Sequence, residues 1–112
     1  MPEEYTNFVE DLKGIGFPVA EYGWNTRPNA DSYGIVAPDF EVDALHGDNV
    51  KQITAWEGSL DFYSKDKRGA GWIGVITGLL TEHFDGAWQL NHHTYEQETG
   101  LFHWEWTFQF EE

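Results

Sequence analysis

Leu101-Phe102-His103-Trp104-Glu105-Trp106-Thr107-Phe108-Gln109-Phe110 alternates without a break. Phe102, Trp104, Trp106, Phe108 and Phe110 fall on one parity; His103, Glu105, Thr107 and Gln109 fall on the other. Successive side chains of a strand point to opposite faces, so this pattern predicts a strand with a buried aromatic face and a wet polar one. Upstream, Glu98-Thr99-Gly100 is turn chemistry and 88–97 reads as a partner strand, so the two make a hairpin.

Working back from that hairpin, 69–84 has helical spacing, with Trp72, Ile73, Ile76, Leu79, Leu80 and Phe84 as its apolar stripe. Gly69, Gly71, Gly74 and Gly78 interrupt it, each costing about 1 kcal/mol against Ala in a helix interior. The expected reason is close approach to a sheet; the alternative is a helix that reorders on assembly. Residues 50–64 form a long strand, with Gly58 marking a bulge or strong twist. Trp56, Leu60 and Phe62 share one face of it, and Ala55, Asp61 and Tyr63 the other. Lys65-Asp66-Lys67-Arg68 is a charged connection.

Near the N-terminus, Tyr5, Phe8, Val9, Leu12 and Ile15 recur at helical spacing, and Glu3 and Glu4 suit the positive end of a helix dipole. Gly14, Gly16 and Pro18 end that helix, which is expected over 4–13. A short strand follows at 17–22, then a loop at 23–32 rich in turn residues. A second strand spans 33–38, with 40–45 extending it after a break at Pro38 and 46–49 as a turn. The expected architecture is α+β: a mostly antiparallel sheet of about four to five strands, two helices packed on one face, and a single domain over 1–112.

The chain has 112 residues, 6 Lys+Arg, 20 Asp+Glu and a net charge of −14. Such a balance argues against specific nucleic-acid binding, which needs clustered cations, and against an anionic membrane surface. With no cysteine, disulfides, thiolate metal sites and Cys nucleophiles are excluded. No apolar run approaches the roughly 20 residues of a membrane span, and the acidic N-terminus predicts no signal peptide. Aromatics at 17% set the chain apart from disordered acidic sequences.

Catalytic signatures are weak. His92 and His93 are adjacent and His103 lies across the hairpin. Only one of the adjacent pair can share a face with His103 in a regular strand. Two histidines with Glu96 or Glu105 would make at most a weak divalent site, against three or four placed ligands in a zinc centre. Asp61, Glu57 and Glu105 share the polar face, with nothing to select a catalytic pair. Gly69-Ala70-Gly71-Trp72-Ile73-Gly74 has the spacing of a dinucleotide turn but lacks the strand–turn–helix setting. No catalytic, cofactor-binding or metal-binding residue is assigned.

Two patches qualify instead as contact surfaces. Trp24, Arg27 and Asn29 lie in the 23–32 loop, where a Trp either meets a partner or folds back on its own core. Lys65, Lys67 and Arg68 hold half of all the cations. Copies carrying −14 repel unless opposite charges meet where they touch, so this cluster is a candidate self-assembly handle.

The order of segments resembles a known family. Gly-Ile-Gly-Phe-Pro-Val-Ala-Glu-Tyr-Gly at 14–23 follows an N-terminal helix; a loop leads to Tyr33-Gly34-Ile35-Val36. Leu60-Asp61-Phe62-Tyr63-Ser64-Lys65-Asp66-Lys67 precedes a helix, and Tyr95-Glu96-Gln97-Glu98-Thr99-Gly100-Leu101-Phe102 makes the closing hairpin. In these features the chain resembles the small tail-terminator and tail-completion proteins of long-tailed bacteriophages, which join head to tail. It departs from them in having a single Pro28 rather than a proline pair before the second strand, and in its glycine-rich second helix.

The resemblance implies a structural virion protein and no enzyme: a ring, often hexameric, at the head-proximal end of the tail tube. That ring would end tube growth and join tail to head after assembly in the host cytoplasm. The implied partners are further copies of the chain, the tail tube protein and the head–tail connector, with no cofactor. Ring closure needs a heterologous interface between two different patches. An acidic lumen would repel DNA phosphates. The competing readings are another neck component such as a head-closure protein, a cytoplasmic small-molecule or carbohydrate-binding module, and a metal-dependent hydrolase built on His92, His93 and His103.

Overall fold

A computed structural model describes residues 2–43 and 54–111. The 46–49 turn and the outer ends of the strands expected on either side of it lie outside the described residues. Helix α1 (Glu3–Lys13) buries Tyr5, Phe8, Val9 and Leu12, four of the five residues whose spacing announced it. Glu3 and Glu4 in its first turn complement the dipole, and the Gly14 N–H donates to the Asp11 carbonyl and the Ile15 N–H to the Leu12 carbonyl, closing the last turn. Gly16 follows at φ 136°; a Cβ there would lie 2.6 Å from the Trp72 ring. That glycine lets the second helix sit against the first connection.

Among the described residues five strands follow in a single sheet: β1 (Val19–Glu21), β2 (Ser32–Asp43), β3 (Thr54–Ser64), β4 (Trp88–Glu96) and β5 (Leu101–Glu111). Their order is β1-β2-β3-β5-β4. Only β1 runs parallel to its neighbour, pairing Val19 with Gly34 and Glu21 with Val36; the other pairs are antiparallel. The sheet is therefore mostly antiparallel and the class is α+β.

Between β3 and β4 come a 3₁₀ turn (Gly69–Gly71) and helix α2 (Trp72–Phe84). This segment carries the chain across one face to the sheet edge, where β4 is laid down. The hairpin then turns β5 back into the slot between β3 and β4.

The core lies between that face and the two helices. Leu60 and Phe62 of β3 and Trp104, Trp106, Phe108 and Phe110 of β5 meet the α1 stripe and Ile76, Leu80 and Phe84 of α2. The Phe84 and Phe108 rings stack at 4.4 Å, and Phe8 packs on them at 4.9 and 5.3 Å. Each such ring contributes about 1.5–3 kcal/mol by leaving water.

Three details differ from the sequence reading. Strand β2 does not break at Pro38; it runs on through a bulge between Pro38 and Phe40. Gly58 faces that bulge but is not itself bulged. A Cβ there would lie 2.6 Å from the Phe108 ring, so close packing explains this glycine. Finally, the glycines of α2 are not there for close approach to the sheet. Gly71, Gly74 and Gly78 face open space, and only Gly69, before the helix, is crowded, by Ile73 and Phe62. No helix among the described residues is long and apolar enough to cross a membrane.

Candidate functional site

The sheet face turned away from the helices carries the polar chemistry. From β2 to β4, Tyr33, Tyr63, His103 and His92 form a row of rings across four strands. Tyr33 stacks on Tyr63 at 4.9 Å, and Tyr63 on His103 at 4.3 Å with planes 14° apart. His92 meets His103 edge-on at 4.9 Å. Register makes the row: Tyr33 pairs with Tyr63 and Tyr63 with His103, so cross-strand neighbours on one face touch.

His103 is the centre of the row and is only 9% exposed. Its Nε2 lies 2.6 Å from Asp61 Oδ1 on β3, and its Nδ1 lies 3.1 Å from Glu96 Oε2 on β4. Burial alone pushes its pKa down. The hydrogen bond and charge of Asp61, then those of Glu96, outweigh burial and hold the pKa above the ordinary histidine value. Burial also pushes the Tyr63 hydroxyl well above the ordinary tyrosine range, with Asp61 and Glu96 adding to it.

While both ring nitrogens donate to carboxylates, the imidazole offers no lone pair to a nucleophile's proton or to a metal. The arrangement binds strands together rather than activating a substrate. Ser32 and Ser64 extend the polar contacts at the same end, hydroxyl to hydroxyl at 2.9 Å.

The two remaining hairpin histidines separate. The β4–β5 register shifts between Leu90 and His92. After the shift, His92 lies opposite Glu105 on the polar face, with its Nδ1 3.8 Å from Glu105 Oε1. His93 lies on the helix side, stacked on Trp104 at 4.3 Å. Asn91, at the bulge, donates to Glu105 Oε1 and Thr107 Oγ1. His92, His93 and His103 therefore do not converge on one point.

The loop patch folds onto this face. Trp24, 36% exposed, packs edge-on against Tyr33 at 5.7 Å. Burial pushes the Tyr33 hydroxyl's pKa up, and the neighbouring Arg27 guanidinium partly offsets this. Asn29 is exposed beyond them. Trp24 thus folds back on its own sheet, on the polar face rather than in the core, and stays partly exposed.

The cation patch is less positive than its sequence suggests. Lys65 pairs with Asp31 at 3.3 Å, and the Arg68 N–H is capped by Asp66 Oδ1 at 2.7 Å. Lys65, Lys67 and Arg68 are all exposed. They lie before the 3₁₀ turn rather than in the first turn of α2, so they do not oppose the helix dipole.

One further group went unseen in the sequence. Asp11, Glu82 and His83 each bring a ligand-type atom within 4.8 Å of the others. His83 Nε2 is already 2.8 Å from Asp11 Oδ2, a hydrogen bond joining the C-terminal turns of α1 and α2. Nothing in the spacing of residues so far apart in sequence could have announced it.

Among the described residues the exposed large apolar side chains are Tyr22, Trp24, Val75, Leu90 and Tyr95, the last two on β4. This strand is nine residues long, lies at the sheet edge, and exposes Leu90 (48%) and Tyr95 (53%) on its helix side. Comparison of the chain with known protein families and with curated protein sequences gives no match in either.

Proposed function

We propose that this chain is a structural assembly subunit, a head–tail joining protein of the tail-terminator kind, which works by closing into a ring with further copies of itself. The observation that carries the reading is the β4 edge. A nine-residue outer strand with Leu90 and Tyr95 exposed offers backbone donors and acceptors beside apolar side chains, which is what a neighbouring chain uses.

The opposite margin of the sheet is different: β1 is only three residues long, and the 24–31 loop folds beside it with Trp24 and Arg27 on Tyr33. Two unlike margins on one subunit suit a heterologous contact, the type that closes rings. Trp24, Arg27 and Asn29, together with Lys65, Lys67 and Arg68, are the residues assigned to the second margin in this reading. The tail tube protein and the head connector are its further partners, and the virion tail or neck its location.

The open-face row gives a ligand-binding module less support. Its ring faces are occupied by one another, with Tyr33 and His103 buried, whereas a sugar platform needs a free aromatic face.

Light scattering across protein concentration and salt, with and without assembled tail tubes, tests the reading. The expected result is a discrete ring, alone or on the tube, that Leu90→Lys abolishes while leaving the monomer folded. A chain that stays monomeric under every condition, tubes included, overturns it.

A further inference from the structure

We propose that His103 is a proton-operated latch that holds the edge strand β4 to the body of the sheet. The proposal does not depend on the ring reading. It rests on a juxtaposition across three strands: Asp61 of β3, His103 of β5 and Glu96 of β4, joined through both nitrogens of one ring at 2.6 and 3.1 Å.

Neither carboxylate is the direct cross-strand partner of His103. Those partners are Tyr63 and Thr94; Asp61 and Glu96 reach it on the diagonals, one from each side. The imidazole therefore ties together two strands that do not touch each other, with β5 between them.

The latch requires a cation. Imidazolium has two N–H donors and serves both carboxylates; neutral imidazole has one donor and one lone pair. On losing its proton, His103 keeps one carboxylate and turns a lone pair towards the other, at a buried position in a chain of net charge −14. The groups facing it are Asp61 and Tyr63 from β3, Glu96 and His92 from β4 and Glu105 from its own strand, with Tyr33 of β2 stacked behind Tyr63. Asp61, Glu96 and the Tyr63 π-face favour the cation; burial opposes it, as does His92 when charged.

The direction follows from linkage. A histidine held above its unfolded pKa of about 6.5 contributes its full stabilisation below that value, and loses it as pH rises through the folded pKa. The element released is the turn-proximal half of β4, whose described backbone partner is β5 alone. An edge strand held on one side is where local opening starts.

Imidazole-resolved nitrogen NMR on the full chain, with amide hydrogen exchange at pH 6 and pH 9 corrected for intrinsic rates, tests this. His103 is expected to carry both ring protons at pH 6 and to lose one only above the ordinary histidine value. Exchange in the His92–Glu96 half of β4 is expected to quicken by about tenfold per unit of pKa elevation, while the centre of β2–β3 stays unchanged. Glu96→Gln should lower the His103 pKa and flatten that difference. A His103 already neutral at pH 6, or β4 exchange that does not change with pH in the wild-type chain, overturns the latch.

Discussion

The ring of Phe108 occupies the space that a side chain on Gly58 would need: a Cβ there would lie 2.6 Å from Cε2, 2.7 Å from Cζ and 3.0 Å from the Ala37 carbonyl oxygen. Phe108 cannot give way, because Phe8 and Phe84 hold its other side. Gly58→Ala is therefore expected to destabilise the fold by about 1–3 kcal/mol, the usual range for overpacking. Urea unfolding followed by tryptophan fluorescence measures it, and an unchanged midpoint would refute the packing account.

Phe8 is fully buried and touches both α2 and β5 through Phe84 and Phe108. Truncation leaves a cavity where three elements meet. Phe8→Ala should cost about 3–5 kcal/mol, read as a lower denaturation midpoint with a similar slope.

Gly74 and Gly78 lie inside α2 with open space where a side chain would stand. Replacing each by Ala should stabilise the isolated chain by up to about 1 kcal/mol, measured as a rise in Tm. If the double substitution stabilises the monomer yet weakens self-association in light scattering, the bare helix face is a contact surface. If association is untouched, the glycines have no such role.

The Lys65–Asp31 pair is exposed at both ends, and exposed ion pairs contribute about 0–1 kcal/mol. Replacing Lys65, Lys67 and Arg68 together by Ala should thus leave the unfolding midpoint nearly unchanged. Under the assembly reading it should weaken self-association, most strongly at low salt where screening is least. A large loss of fold stability would instead give the cluster a structural role.

Residues 101–110 carried most of the architecture, because a strand between two others and beneath two helices must alternate strictly. The α1 boundaries were equally plain, since its buried residues, dipole acids and terminal glycine agree. The polar face was visible only in part. Asp61, Glu105 and His103 could be assigned to one face by parity, but the clamp on His103 needs Glu96 to reach across a diagonal, which depends on register. The shift after Leu90 is what puts His92 rather than His93 on that face, and no residue type at Asn91 announced it. The glycines of α2 misled because composition cannot tell a crowded glycine from one facing solvent.

The placement of β5 also governs how the fold is reached. It is the last of the described strands in sequence order, yet it lies inside the sheet, pairing Ala55 with Glu111 on one side and Trp88 with Phe108 on the other. Until residues 101–111 have been synthesised, β3 and β4 have no partner on their inner edges, and Leu60 and Phe62 lack their cross-strand neighbours Trp106 and Trp104. The sheet therefore cannot close until this late segment enters between its two neighbours, which makes its completion depend on long-range contacts.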